Sequence, residues 1–115
     1  MEAKKTVVGL TEKVTIRGRA MEKTVLAKVD TGATKNSIDS RLAAELSLGP
    51  VVGTKLVKSA HGNSVRPIIK AEIVLAGKEM TTRFSLADRS HLKYKVLIGQ
   101  NALKGRGFLI DPSKG

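Results

Sequence analysis

One pattern recurs along most of the chain: short runs in which polar and apolar residues alternate, separated by turns that carry glycine. KVTIRG (13–18) and KTVLAKV (23–29) form the first pair, and the RGRAME stretch joining them accommodates a reversal. Alternation sends successive side chains to opposite faces of a strand, so the pair reads as a hairpin of half-buried strands. TKLVKSA (54–60), VRPIIKAEIVLAG (65–77) and KEMTTRFSLAD (78–88) continue the pattern, and an apolar run at 96–98 and a final FLID (108–111) follow. Helical spacing is confined to SIDSRLAAELSLGP (37–50), where Leu42, Ala43 and Leu46 share a face, Asp39 or Ser40 supplies an N-cap and Gly49-Pro50 a stop. A short helical turn is expected after Gly99. The chain is therefore predicted to be mostly β, as one domain over residues 1–115.

With 115 residues and 41% hydrophobic content, the chain has material for one small core, and 3% aromatics oblige that core to be built from Val, Ile, Leu and Ala. There is no cysteine, which removes disulfides, thiolate metal ligands and a cysteine nucleophile together, and points to a reducing compartment. MEAKKTVVGL lacks a long apolar segment, and no run reaches the roughly 20 residues needed to span a bilayer, so the expected location is cytoplasmic.

Twenty-one basic residues against ten acidic ones leave a formal charge of +11 and a pI near 10.3. Such an excess attracts polyanions: nucleic acid, ribosomes or acidic peptides. Lys55, Lys58, Arg66, Lys70, Lys78 and Arg83 are nevertheless dispersed singly and read as solvated strand faces. Phe84, Tyr94 and Phe108 are too few and scattered for a stacking platform, so nucleic acid remains a partner by charge alone.

The second strand runs directly into Asp30-Thr31-Gly32. Taken alone this is an ordinary turn, since Asp bonds its own backbone and Gly admits positive φ. Downstream, HGN (61–63) is a polar tip for a projecting hairpin, and Pro67, lacking an amide donor, puts its strand at an edge or free of the sheet at that point. Asp39, Asp88 and Asp111 suit caps and turns, and His61 suits a solvated loop.

The ordered set VDTGATKNSID, LAAELSLG, KSAHGN and VLIGQNALKGRGFLID resembles the retropepsin-like aspartic protease superfamily over nearly the whole chain. Within it, AKVDTGA with the C-terminal VLIGQNALKGRGFLIDPS is similar to a microbial group labelled "ATP-dependent zinc protease". With two histidines, no cysteine, no H-E-x-x-H and no phosphate-binding G-x-x-x-x-G-K-[ST], this sequence offers no metal site and no nucleotide loop by known spacings, and neither metal nor cofactor is expected. That group's association with glutamate ligases suggests glutamate-rich substrates.

The resemblance implies a closed, retropepsin-like β-barrel with one or two short helices and a flap hairpin. It makes Asp30 the catalytic carboxylate, Thr31, Gly32 and Ala33 the supporting loop, Ala60, His61, Gly62 and Asn63 the substrate-covering flap, and Leu97, Ile98 and Gly99 the packing beneath the loop. Aspartic proteolysis needs two carboxylates sharing a proton, the pattern for which these proteases are a standard case. One Asp-Thr-Gly in 115 residues then requires a homodimer, each chain giving one Asp30. Viral dimers are held largely by interleaved terminal strands, for which KKTVV and GFLID are the counterparts here. The expected function is a homodimeric aspartic endopeptidase cleaving peptide or protein substrates, for which the positive charge favours acidic ones. The alternative is a non-catalytic module of the same fold docking on a ribosome, nucleic acid or acidic peptide.

Overall fold

The alternating runs become strands, and most of those strands close on themselves. A computed structural model describes residues 5–114. Its elements in chain order are β1 (Thr6–Val8), β2 (Thr11–Arg17), β3 (Glu22–Val29), β4 (Asn36–Asp39), α1 (Ser40–Glu45), β5 (Val51–Ser59), β6 (Gly62–Leu75), β7 (Lys78–Ala87), β8 (Val96–Ile98), α2 (Gln100–Leu103) and β9 (Phe108–Ile110). The sheet order β2-β3-β8-β4-β7-β6 returns to its start because β6 also pairs antiparallel with β2, from Val14 opposite Leu75 to Arg17 opposite Glu72. A closed six-stranded β-barrel with two short helices results. Closure leaves no barrel strand with an open edge, and β5 extends outward from β6.

Period-two patterning decides which face enters the core. On β6, Ile69, Ala71, Ile73 and Leu75 are buried while Lys70 and Glu72 are exposed, so a slip of one residue would invert the strand. Val14, Ile16, Ile38, Phe84, Val96 and Ile98 complete the barrel interior, and Leu42 and Ala43 of α1, with Leu46 at its C-cap, pack in the same core. The apolar face foreseen for α1 is the face it buries.

β4 has no counterpart in the sequence reading, because Asn and Asp at its ends are poor strand formers. Pairing overrides that preference: β4 lies parallel to β7 and antiparallel to β8, and Asn36, Ile38 and Asp39 are buried. Asp39 does stand at the N-cap position of α1, but its side chain makes no cap. Its carboxylate instead accepts the Arg89 amide at 2.8 Å, tying β4 to the loop after β7.

The projecting hairpin is longer, and its tip shorter, than expected. β5 and β6 pair as far as Ser59 opposite Gly62, leaving only Ala60 and His61 to turn, with Gly62 at φ +112°. Asn63 belongs to the ladder, opposite Lys58, and not to the tip. Pro67 pairs on the β5 side, and the β7 ladder begins only at Ile68, so the side that would need its missing N–H is open. Apart from the barrel, β1 and β9 form a parallel two-stranded sheet within the chain.

Candidate active site

β3 delivers Asp30. Val29 is buried and pairs with Ile98, and the Asp30 amide donates to the Ile98 carbonyl at 2.9 Å, so the strand is held to its last residue. The chain then turns on itself. The Gly32 amide donates to the Asp30 carboxylate at 2.9 Å and the Ala33 amide to the Asp30 carbonyl at 3.2 Å, which fixes the acid in its own loop. Asp30 is half-buried, Thr31 and Gly32 are exposed, and Ala33 is half-buried.

The start of α2 clamps the other side of the loop. The Gln100 amide donates to the Ala33 carbonyl at 2.8 Å and the Asn101 amide to the Thr34 carbonyl at 3.2 Å. The Gln100 side chain donates to the Thr31 carbonyl at 2.7 Å. Gly99 is buried where this clamp begins: a Cβ there would strike the Lys35 carbonyl and lie 2.8 Å from the Ala33 carbonyl oxygen, so only glycine lets the two backbones approach. Ile98 is fully buried, and half-buried Leu97 pairs with Lys28 on one side and Ser37 on the other. Asp30 to Ala33 and Leu97 to Gly99 are thus brought together, as the sequence motifs anticipate.

A further residue that the motifs do not mark binds these pieces. Asn36 is fully buried; its side-chain amide donates to the Thr82 hydroxyl at 3.2 Å and the Arg83 carbonyl at 3.0 Å, while its oxygen accepts the Gly99 amide at 2.8 Å. One side chain therefore joins β4, β7 and the β8–α2 junction. A polar residue just after a turn carries no sign of such a role in sequence.

Ala60, His61, Gly62 and Asn63 lie at the far end of the hairpin and are exposed. The tip is tied within itself, the Ser59 hydroxyl bonding the Gly62 carbonyl at 2.9 Å and accepting the His61 amide at 3.3 Å. No hydrogen bond joins it to the Asp30 loop among the described residues. Asp88 and Asp111 serve turns as expected, accepting the amides of Ser90 and Ser113. The Ser90 hydroxyl and amide hold the Asp88 carboxyl below its ordinary value.

The lysines and arginines that look dispersed in sequence are gathered by register. Lys55 stands opposite Arg66, and Lys70 opposite Arg83, two like-charge pairs that cost stability where they face directly. Lys35, Lys55 and Arg83 line a cavity of about 290 Å³ with Ile68, Phe84 and Asn101. The Asn101 side-chain oxygen is buried there without a hydrogen-bond partner. Burial pushes the Arg89 guanidinium down, Asp39 opposes this, and neighbouring Arg66 pushes it further down. A second groove, of about 600 Å³, lies on the other side of the Asp30 loop between Thr31, Gln100, Leu103, Phe108 and Ile110. Among the described residues, no three of His, Asp and Glu converge as a metal site. No helix among them is long and apolar enough to cross a membrane.

This geometry has known counterparts. The crystal structure of a protein of unknown function from Legionella pneumophila superposes with a TM-score of 0.64 at 20% identity, over 95% of this chain and 94% of that one. The solution structure of the simian foamy virus protease does so with a TM-score of 0.59 at 16% identity, over 78% of this chain and 87% of that one. At these identities the likeness is one of fold, a retropepsin-like barrel. Among curated proteins none matches the sequence. The family model described as retropepsin-like aspartic endopeptidase RimB matches residues 38–115, a segment that begins after the Asp30 loop and includes the hairpin, the clamp and β9. With more than half of its length matched, the chain belongs to the RimB-like family of retropepsin-like aspartic endopeptidases.

Proposed function

We propose that the chain is a homodimeric aspartic endopeptidase in which Asp30 of each protomer faces its counterpart across a two-fold axis. The observation that carries this reading is the loop itself: an accessible carboxylate, bonded by Gly32 and clamped by the β8–α2 junction, at the end of a barrel strand. Two such carboxylates share one proton. The ionised one takes a proton from water as the water oxygen bonds the substrate carbonyl carbon, and the protonated one donates to the carbonyl oxygen; the carboxyl that took the water's proton then passes it to the amide nitrogen as the C–N bond breaks, and the other takes back the proton of the intermediate's hydroxyl as the carbonyl re-forms. Thr31 braces one loop against the other, and Ala33 keeps the turn small. The β5–β6 hairpin, with Ala60, His61, Gly62 and Asn63 at its end, closes over the peptide and excludes water.

Substrates with acidic side chains fit this reading best. Lys35, Lys55 and Arg83 converge on one cavity beside the loop, and the acids near the outer sheet face, Glu72 and Glu79, are engaged by Arg17. Asp30→Asn is expected to abolish hydrolysis of acidic peptides in a library assay read by mass spectrometry, with an unchanged circular dichroism spectrum. Hydrolysis retained in that variant refutes the assignment.

The like-charge pairs Lys55–Arg66 and Lys70–Arg83 favour a second reading, a binding module that docks on a polyanion without catalysis. Its signature is affinity that falls steeply with salt and ignores Asp30→Asn.

A further inference from the structure

Closing the barrel leaves one long strand with a bare side. β5, Val51–Ser59, is the last in the sheet order and pairs only with β6 among the described residues. Which of its backbone groups face outward follows from the ladder. The two-residue turn makes Ser59 and Gly62 a hydrogen-bonded pair, and alternation then makes Val57–Ser64, Lys55–Arg66 and Gly53–Ile68 bonded pairs as well. Pro67 agrees with this phase, because it has no N–H to give and stands opposite Thr54, in the non-hydrogen-bonded set. Thr54, Leu56 and Lys58 therefore direct their N–H and C=O groups away from β6, where no other strand meets them.

The two faces beside that edge differ in chemistry. On one, Lys55 stands opposite Arg66, and Lys55 is half-buried against the cavity that Lys35 and Arg83 also line. No carboxylate among the described residues forms an ion pair with Lys55 or Arg66. On the other face, Leu56 stands opposite Val65 and both are exposed. Lysines blunt many exposed edges. A nine-residue edge with Leu56 bare near its middle is not a blunted one.

We infer that the β5 edge receives an extended segment of another protein by strand addition, a segment whose residues alternate acidic and apolar. Its main chain bonds Thr54, Leu56 and Lys58, its acids lie on the Lys55–Arg66 face, and its apolar side chains lie on the Leu56–Val65 face. A second copy of this chain is the poorer occupant: a centred antiparallel pair of β5 edges sets Lys55 against Lys55, between chains that each carry +11. The site uses neither Asp30 nor its bonded turn, so it goes beyond the protease reading and does not depend on it.

The test uses the full chain carrying Asp30→Asn, so that peptide stays uncut, and two labelled peptides of about eight residues with the same Glu and Val content, one alternating and one with the two residue types in blocks. The alternating peptide is expected to bind about tenfold tighter than its isomer by fluorescence anisotropy, and to lose that advantage in Leu56→Glu. Its affinity should also fall in Lys55→Glu/Arg66→Glu, which should instead take up an alternating Lys and Val peptide. In hydrogen exchange followed by NMR, the bound peptide should slow the amides of Thr54, Leu56 and Lys58 and leave those of Lys55 and Val57 unchanged. Equal affinity for the two Glu and Val peptides overturns the inference by showing attraction of charge alone, and no binding of either overturns it outright. Binding that leaves the three outward amides as they were also overturns it, because the peptide then sits elsewhere. Outward amides that are slow before any peptide is added, and quicken on dilution, overturn it in favour of a second copy. None of these results touches the loss of hydrolysis expected of Asp30→Asn, which judges the protease reading by itself.

Discussion

The Asp30 loop and the β5–β6 hairpin are both excursions from the same barrel, and they are built in opposite ways. Residues 30 to 35 are short, receive backbone hydrogen bonds from Gln100 and Asn101, and rest on a glycine that admits no side chain. The hairpin is long, and beyond the β7 ladder, which begins at Ile68, its two strands have only each other: Leu56 and Val65 stand directly opposite and remain 55% and 65% exposed. Under the proposed protease reading, a carboxylate for proton transfer has to be fixed and a cover has to open to admit a peptide, and the packed loop and the sparsely packed hairpin suit those two roles.

Several substitutions sharpen or break that contrast. Gly99→Val forces a side chain into the Lys35 and Ala33 carbonyls, and is expected to cost about 3 kcal/mol or more in denaturant unfolding and to remove activity. A fully stable Gly99→Val would mean that the loop is not clamped. Asn36→Leu strands the Gly99 amide and the Thr82 hydroxyl in the interior, an expected loss of about 2–3 kcal/mol by the same measurement. Lys35→Glu with Arg83→Glu changes two exposed side chains, one in the loop and one on β7, so the fold should hold within about 0.5 kcal/mol while KM for acidic peptides rises about tenfold at constant kcat. A change confined to kcat would instead place these cations in the reaction.

The latch that Lys114 makes on Glu12, ammonium to carboxylate at 2.6 Å, responds to acid. Burial works to raise the Glu12 carboxyl, but the hydrogen bonds from Lys114 and the Gly9 amide outweigh it and hold the group below its ordinary 4.5. Since it titrates lower folded than unfolded, the latch contributes stability above pH 4.5 and loses it as pH falls through the folded value. Removing it by Glu12→Gln should cost about 1 kcal/mol or less at neutral pH and flatten the acid limb of a stability profile. Val65→Thr, at the other extreme, should leave unfolding within about 0.5 kcal/mol, because its surroundings are solvent.

What could be read from sequence follows the same division. Strands with one buried face announce themselves by alternation, as β2, β3, β6 and β7 do, and the Asp30 and Leu97-Ile98-Gly99 motifs mark two segments that pack against each other. β4 was hidden because its strand character comes from β7 and β8 on either side, not from Asn36 or Asp39. The gathering of Lys35, Lys55 and Arg83 was hidden for a similar reason: they sit far apart in sequence, and only register brings them to one cavity. The self-pairing of β1 and β9 joins the two ends of the chain and leaves no local signature.

The most direct test of a site shared by two chains is the activity of mixed dimers. Asp30→Asn is titrated into a fixed amount of wild-type protein, well above the dissociation constant, and hydrolysis of an acidic peptide is followed. If both Asp30 carboxylates are required, random pairing draws wild-type chains into inactive heterodimers, and an equal amount of the variant should lower the rate to about half. A rate that the variant leaves unchanged would contradict a shared site and show that one chain suffices for whatever chemistry is observed.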